Sequence, residues 1–163
     1  DQIRGLHQGE DRLVVLMGRH HPLAGKAPTL EEYLAWPHLQ VSGGGDKDSP
    51  VDQVLAPLGL SRRWFARVPF FQAAVEVLLR TDCLMTTPAH IAWQLSREHA
   101  LSFCDLPFAT RVQQYHLLWH QRHHLDPAHR WFRELAYPFL RDHLQRTLGE
   151  SRKQLGLKAD PLR

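Results

Sequence analysis

The sequence predicts an α/β fold in which helices flank a mostly parallel β-sheet. Short apolar runs typical of strands alternate with longer stretches typical of helices, which is the pattern of βαβ units. Several of the longer stretches also begin with residues that favour helix starts, such as Ser49 followed by Pro50 and Asp126 followed by Pro127.

Six short segments have the apolar composition of buried strands. They cover residues 12–18, 38–42, 62–68, 83–87, 101–106 and 112–120. A glycine-rich loop, predicted to be flexible, follows the second of them over residues 43–48.

Between the strands, the first helix begins at Thr29, because Thr29 and Glu32 have the spacing of a capping box, and it ends before Pro37. Further helices are predicted over residues 49–59, 70–80 and 88–99. The third of these four helices is apolar on nearly every side, so we expect it to be largely buried.

The last helix begins after Asp126 and has an apolar face at helical spacing. That face comprises Trp131, Leu135, Ala136, Phe139, Leu140 and Leu144. Trp131 is expected to be a core anchor. The stretch after it, residues 148–163, is interpreted as a basic tail or as a helix that depends on a partner.

Composition limits the functional class. The chain has 163 residues, of which 43% are hydrophobic and 23% charged, as in an ordinary globular protein of one domain or two small lobes. No segment has the roughly 18 consecutive apolar residues of a membrane helix, and no secretory signal is visible.

Cys83 and Cys104 lie in predicted strands, which favours buried reduced thiols and a cytoplasmic location.

Four histidines lie close together in the segment WHQRHHLDPAHRWF, at positions 120, 123, 124 and 129. His116 and His120 share a strand face but are roughly 13 Å apart, too far for one zinc ion. No H-E-x-x-H motif accompanies them, and Ser42 is not in a G-x-S-x-G elbow. The histidines are therefore interpreted as part of a turn, and we expect no metal, no cofactor and no enzymatic activity.

Four motifs are together more specific than any of them alone. They are HPLA at 21–24, VP.F at 68–71, TD...TTP at 81–88 and LLWH.....DPAHRWFRE at 117–134. With these motifs, the segment from Leu13 to about Leu144 resembles the effector-binding domain of LysR-type transcriptional regulators, in the branch related to nodulation and aromatic-compound regulators.

This resemblance implies a two-lobed domain related to periplasmic binding proteins. Residues 1–18 would form a hinge strand and a remnant of the first lobe, and residues 19–110 the second lobe. Residues 111–147 would form the return hinge strand and closing helix of the first lobe, and 148–163 the tail. The DNA-binding winged helix-turn-helix of such regulators is missing from the sequence, so we expect contact with DNA only through that missing part.

In open parallel α/β sheets, ligands bind beyond the carboxyl ends of the strands. Six residues at such ends are candidate effector-binding residues: Ser42, Gly43, Pro69, Phe70, Thr86 and Thr87. The hypothesis is a small organic acid or aromatic molecule that accepts hydrogen bonds from Ser42 and Thr87 and stacks on Phe70. Each candidate residue also has a purely structural explanation. Ser42 could form a turn, the two threonines could be ordinary strand residues, and Phe70 could belong to the core. The resemblance implies the same edge, with the effector held between the lobes.

Two other functions stay open at this stage. A solute-binding protein of a transporter shares the two-lobed architecture, and a histidine-dependent metal enzyme would use the histidine cluster. For the regulator we expect a homo-oligomer with no membrane contact. Because much of the first lobe is absent, strand 112–120 should lack neighbours, with either a displaced terminal segment or pairing between chains.

Overall fold

The computed structural model describes residues 2–42 and 49–156. The chain divides into two compact units. The central unit comprises residues 12–111, and the terminal unit combines residues 1–11 with 112–163. The predicted glycine-rich loop, including Gly43, lies outside the described residues, as do residues 157–163 of the predicted tail.

The central unit alternates strands and helices along the chain. Its elements are β2 (Leu13–Gly18), α1 (Leu30–Ala35), β3 (His38–Val41), α2 (Pro50–Leu55), β4 (Trp64–Val68), α3 (Phe71–Leu78), β5 (Leu84–Pro88), α4 (Ala89–Glu98) and β6 (Leu101–Asp105). A 3₁₀ turn, Ala56–Leu58, follows α2 and ends at Gly59, which has the positive φ of 69° that glycine tolerates best. The predicted strands and helices of this unit are thus present.

Five strands form one sheet in the order β4-β3-β5-β2-β6. β3 runs parallel to both β4 and β5, whereas β2 runs antiparallel to β5 and to β6. Four strands therefore point the same way and only β2 is reversed. The predicted α/β class with a mostly parallel sheet is confirmed.

Strand β2 is the most deeply buried part of the sheet. Val14, Val15, Leu16 and Met17 of β2 are all fully buried, because β2 lies between β5 and β6 and has apolar neighbours on both faces. α1 packs onto this core through Tyr33, which is also fully buried. The predicted capping box of α1 is present, with Thr29 and Glu32 each bonded to the other's backbone N–H.

The polar side chain of His38 is buried beside Tyr33. The His38 ring is fully buried and its Nε2 is 2.9 Å from the Tyr33 carbonyl oxygen, so Nε2 carries the proton and donates. Its Nδ1 has no hydrogen-bond partner among the described residues. Burial lowers the pKa of His38 from 6.5 to about 4, which keeps the ring neutral at pH 7.

The terminal unit is built from β1 (Ile3–Asp11), β7 (Gln113–His120), the 3₁₀ turn Gln121–His123 and α5 (Pro127–Gln154). β1 is not among the strands predicted from the sequence. It pairs antiparallel with β7 from Ile3 opposite His120 to Asp11 opposite Gln113. The first residues of the same chain thus supply one neighbour for β7, and pairing of its other edge with a second chain stays a prediction.

Trp131 is not a core anchor. Its side chain is 65% exposed, and Leu135 and Phe139 on the same helix are 61% and 77% exposed. The reason is that α5 contacts β1 through another part of its surface, where Leu144, Gln145 and Leu148 lie closest to Gly9. The amphipathic pattern alone does not say which stretch of a long helix finds a neighbour.

α5 also continues beyond residue 147. Leu148 and Ser151 are buried in the last two turns of the helix, and Gln154 is its final residue. The stretch interpreted as a tail is therefore helical up to Gln154. The predicted division into lobes remains a proposal.

We predict that the buried His38 makes the protein less stable in acid. Its pKa is lower in the folded than in the unfolded chain, so the unfolded chain takes up the proton first, and stability is lost as the pH falls from 6.5 towards 4. The unfolding free energy measured with urea should drop by about 2 kcal/mol between pH 7.5 and pH 5 on account of this one group. Burial of His21, whose pKa is also lowered, adds in the same direction.

The exposed His116 provides the matched control. The His38→Gln variant should lose most of this pH dependence, and the His116→Gln variant should keep it. An unchanged dependence in His38→Gln would show that another group is responsible.

Candidate effector-binding site

Three strand ends meet at one edge of the central unit. Val41 at the end of β3 lies opposite Val68 at the end of β4, and the Ser42 N–H donates to the Val68 carbonyl at 2.9 Å. On the other side of β3, Leu39 pairs with Met85 of the parallel strand β5, which places Thr87 two residues further towards the same edge. The structure therefore brings Ser42, Pro69 and Thr87 to one edge, as expected for parallel strands.

Phe70 is not a core residue. Pro69 and Phe70 follow β4 directly and both are exposed, with 61% of the Phe70 side chain accessible. Phe70 is the N-cap of α3 in an extended conformation and makes no side-chain capping bond. Its aromatic ring is thus free to meet a ligand at this edge.

The two threonines have different environments. Successive side chains of a strand point to opposite faces of the sheet, so Thr86 and Thr87 cannot both face the same side. The half-buried Thr86 has its hydroxyl 2.7 Å from the hydroxyl of the buried Tyr33. The Thr87 side chain is only 2% exposed, and its hydroxyl has no hydrogen-bond partner among the described residues.

Two helices begin at this edge without a side-chain cap. α3 starts after Phe70 and α4 after Pro88, and neither N-cap side chain accepts a hydrogen bond from the first turn. The Ala89 N–H at the start of α4 is already bonded to the Arg12 carbonyl at 2.9 Å. The remaining first-turn N–H groups and the helix dipoles favour a negatively charged group.

Tyr33 is a residue of this region that the sequence patterns did not single out. The Tyr33 hydroxyl is hydrogen-bonded to the Thr86 hydroxyl and so holds the Thr86 side chain in place. Burial raises the pKa of the Tyr33 hydroxyl, so that Tyr33 stays protonated. The i, i+3 and i+4 spacing of Leu30, Tyr33 and Leu34 would have marked it as a residue on the buried face of α1.

The histidine segment forms a turn in the terminal unit. His120 Nδ1 accepts a hydrogen bond from the Arg122 N–H at 3.1 Å, and the rings of His123 and His129 stack 5.2 Å apart. In residues 2–42 and 49–156, no three His, Cys, Asp or Glu side chains are placed to hold a metal ion. Nor does any helix in these ranges have the length and apolar character needed to cross a membrane.

Comparison with known proteins assigns the family. The model of the LysR substrate binding domain matches residues 1–141. The chain belongs to the LysR substrate-binding domain family. The resemblance inferred from the motifs is thereby confirmed, and neither the transporter protein nor the metal enzyme is favoured.

Individual members of the family agree with this assignment. The HTH-type transcriptional activator NahR of Pseudomonas putida is 29% identical over 133 residues, which cover 82% of this chain and 44% of NahR. The crystal structure of a probable transcriptional regulator from Pseudomonas aeruginosa superposes with a TM-score of 0.71 at 33% identity, covering 81% of this chain and 44% of that one. The regulatory domain of MexT, a transcriptional activator in the same organism, gives 0.69 at 29% identity, with coverages of 88% and 67%.

This LysR substrate-binding domain therefore spans less than half the length of NahR. Its relatives are transcriptional regulators by name.

We predict that replacing each of the two neighbouring threonines by valine has a different effect on stability. Thr86→Val removes one hydrogen bond of the buried Tyr33 hydroxyl, which also has a hydrogen bond to the Arg62 side chain, and should lower the unfolding free energy by about 1 kcal/mol. Thr87→Val replaces a hydroxyl that has no partner by a methyl group of similar size, so it should be neutral or slightly stabilising. Urea unfolding at pH 7.5 measures both.

Tyr33→Phe is the control for the first variant, because it removes the other half of the same hydrogen bond. If Thr87→Val were as destabilising as Thr86→Val, the Thr87 hydroxyl would have a partner in solution and the difference between the two sites would be wrong.

Proposed function

We propose that this LysR substrate-binding domain senses a small organic molecule with an acidic or aromatic group at the edge where β3, β4 and β5 end. The observation that carries the proposal is the Thr87 hydroxyl, which is buried at this edge and has no partner in residues 2–42 and 49–156. Buried polar groups in native proteins are nearly always hydrogen-bonded, so an orphaned one suggests a partner that arrives from outside the chain.

Each residue of the edge has a proposed role. Ser42 and Thr87 donate hydrogen bonds to the ligand, and the exposed ring of Phe70 stacks on it. Gly43 and Pro69 are proposed to line the site. Thr86 acts as a positioning residue, because its hydroxyl is already bonded to Tyr33.

The charge of the ligand follows from the helix starts. α3 and α4 both present first-turn N–H groups at this edge, and no side-chain oxygen caps them. A carboxylate bound there would gain about 0.3–1 kcal/mol from each exposed helix dipole. An acidic ligand is therefore favoured over a basic one.

In the whole regulator, we propose that effector binding is relayed to DNA through a DNA-binding region outside this sequence. The relay requires that the effector bind two conformations with different affinity. We further propose that the regulator is a cytoplasmic homo-oligomer that contacts no membrane and catalyses no reaction. The names of its relatives, which are transcriptional regulators, support this, and so do the two buried free thiols Cys83 and Cys104.

The test is a titration of the ¹⁵N-labelled chain with small carboxylates such as benzoate, cinnamate and succinate, followed by NMR. At least one of them should shift the backbone amide signals of residues 70–72, 86, 87, 89 and 90 in a saturable way. Thr87→Val and Ser42→Ala should each weaken that binding by about tenfold, as expected for one lost hydrogen bond to a charged group.

Ser96→Ala is the matched control, because the Ser96 hydroxyl bonds only to the Trp93 carbonyl within its own helix, among the described residues. It should bind the same ligand as the unchanged protein does. Wild-type affinity in both Thr87→Val and Ser42→Ala would refute the site.

A further inference from the structure

The terminal unit contains an open, groove-like cavity of about 730 Å³, whose lining residues differ from those of the edge just described. It lies where the start of β1 meets the end of β7 and the turn that follows. Six of the side chains that line it are Ile3, Arg4, Leu6, Trp119, Gln121 and His124. The cavity therefore combines an apolar wall with three polar groups.

The guanidinium group of Arg4 lines the cavity, and only one of its three nitrogens has a hydrogen-bond acceptor among the described residues. Its Nε donates to the Gln121 side-chain oxygen across the strand end. Among the described residues, the two terminal nitrogens of Arg4 have no hydrogen-bond acceptor, and the residue is exposed. These two nitrogens are the part of an arginine that binds a carboxylate in a bidentate manner.

A second guanidinium lies behind the cavity wall and is buried. Arg133 is only 7% exposed, and it donates to the carbonyl oxygens of His123 and His124 at 3.1 and 2.9 Å. Its Nη1 is also 2.7 Å from His129 Nδ1, and its Cζ lies 4.6 Å from the centre of the Trp119 ring. None of these partners is a carboxylate. Buried cations are normally paired with a carboxylate, so this positive charge lacks its usual compensation in the described part of the chain.

His124 presents a hydrogen-bond donor to the cavity. Its Nδ1 accepts a hydrogen bond from the Trp119 indole N–H at 3.4 Å, so the ring proton is on Nε2. Partial desolvation lowers the pKa of His124, and the charges of Arg4, Arg133 and Arg130 lower it further. The ring is thus neutral at pH 7, with its Nε2–H available for a ligand.

We propose that this cavity binds a small aromatic carboxylate. The carboxylate is held by the terminal nitrogens of Arg4 and by His124 Nε2–H, and the aromatic ring packs against Leu6, whose side chain lies on the same face of β1 as that of Arg4. The buried charge of Arg133 makes the whole cavity favourable for an anion. This second site does not depend on the proposed function of the central unit.

The indole N–H of Trp119 reports on the site directly, because it is bonded to His124. In the ¹⁵N-labelled chain its NMR signal is assigned by its loss in Trp119→Phe. Titration with benzoate should shift this signal in a saturable way. Benzyl alcohol, a neutral molecule of similar shape, should bind at least about tenfold more weakly, since the charged hydrogen bonds are lost.

Arg4→Gln should weaken benzoate binding by about tenfold or more. The matched control is Arg97→Gln, which removes an exposed arginine that lies 5.3 Å from the ring of Trp93 in the central unit. This control and Thr87→Val should leave the Trp119 response unchanged. His124→Phe keeps an aromatic ring beside Trp119 but removes the donor, and it tests the site independently if Arg4→Gln fails to fold.

Four results would overturn the proposal. They are a Trp119 signal that benzoate does not move, equal affinity for benzyl alcohol, unchanged affinity in a folded Arg4→Gln, and sulfate binding as tightly as benzoate. The last result would identify a site for inorganic anions instead.

Discussion

The parallel pairing of β3 with both β4 and β5 is the constraint on which the candidate site depends. Parallel neighbours cannot be joined by a tight turn, so the chain must cross over between them, and it does so through α2 and α3. As a result, strand ends and helix starts collect at the same edge. Ser42, Phe70 and Thr87 are distant in sequence and come together only through this pairing.

The core under that edge is polar at two points, and both are tied to α1. Tyr33 bonds to Thr86 through its hydroxyl and to His38 through its backbone carbonyl. Buried polar groups cost free energy unless they are paired. Tyr33 therefore holds β5 and β3 in a defined arrangement, while the neighbouring Thr87 hydroxyl is left without a partner. The Thr86 hydroxyl therefore has a structural role, whereas the Thr87 hydroxyl remains available for the proposed ligand.

The terminal unit has a different balance of forces. Only part of α5 packs on β1, around Gly9 and Leu148, and much of its apolar surface is exposed. The terminal unit also contains a buried positive charge that no carboxylate balances among the described residues. Arg133 is surrounded by carbonyl oxygens, a histidine and an indole ring. The histidines that suggest a metal site in the sequence instead provide two backbone carbonyl oxygens and a ring nitrogen close to the guanidinium of Arg133.

Local patterns determined the helices, most of the strands and the carboxyl-end positions of Ser42, Pro69 and Thr87, because caps, prolines and apolar runs act within a few residues. They did not determine β1, the exposure of Trp131 or the full length of α5. Those features depend on which surfaces meet in three dimensions, and β1 has a polar sequence that is a strand only because β7 lies beside it. The Thr87 hydroxyl without a partner and the Arg133 charge without a carboxylate, both among the described residues, likewise depend on the fold. In the unfolded chain, water would hydrate both groups.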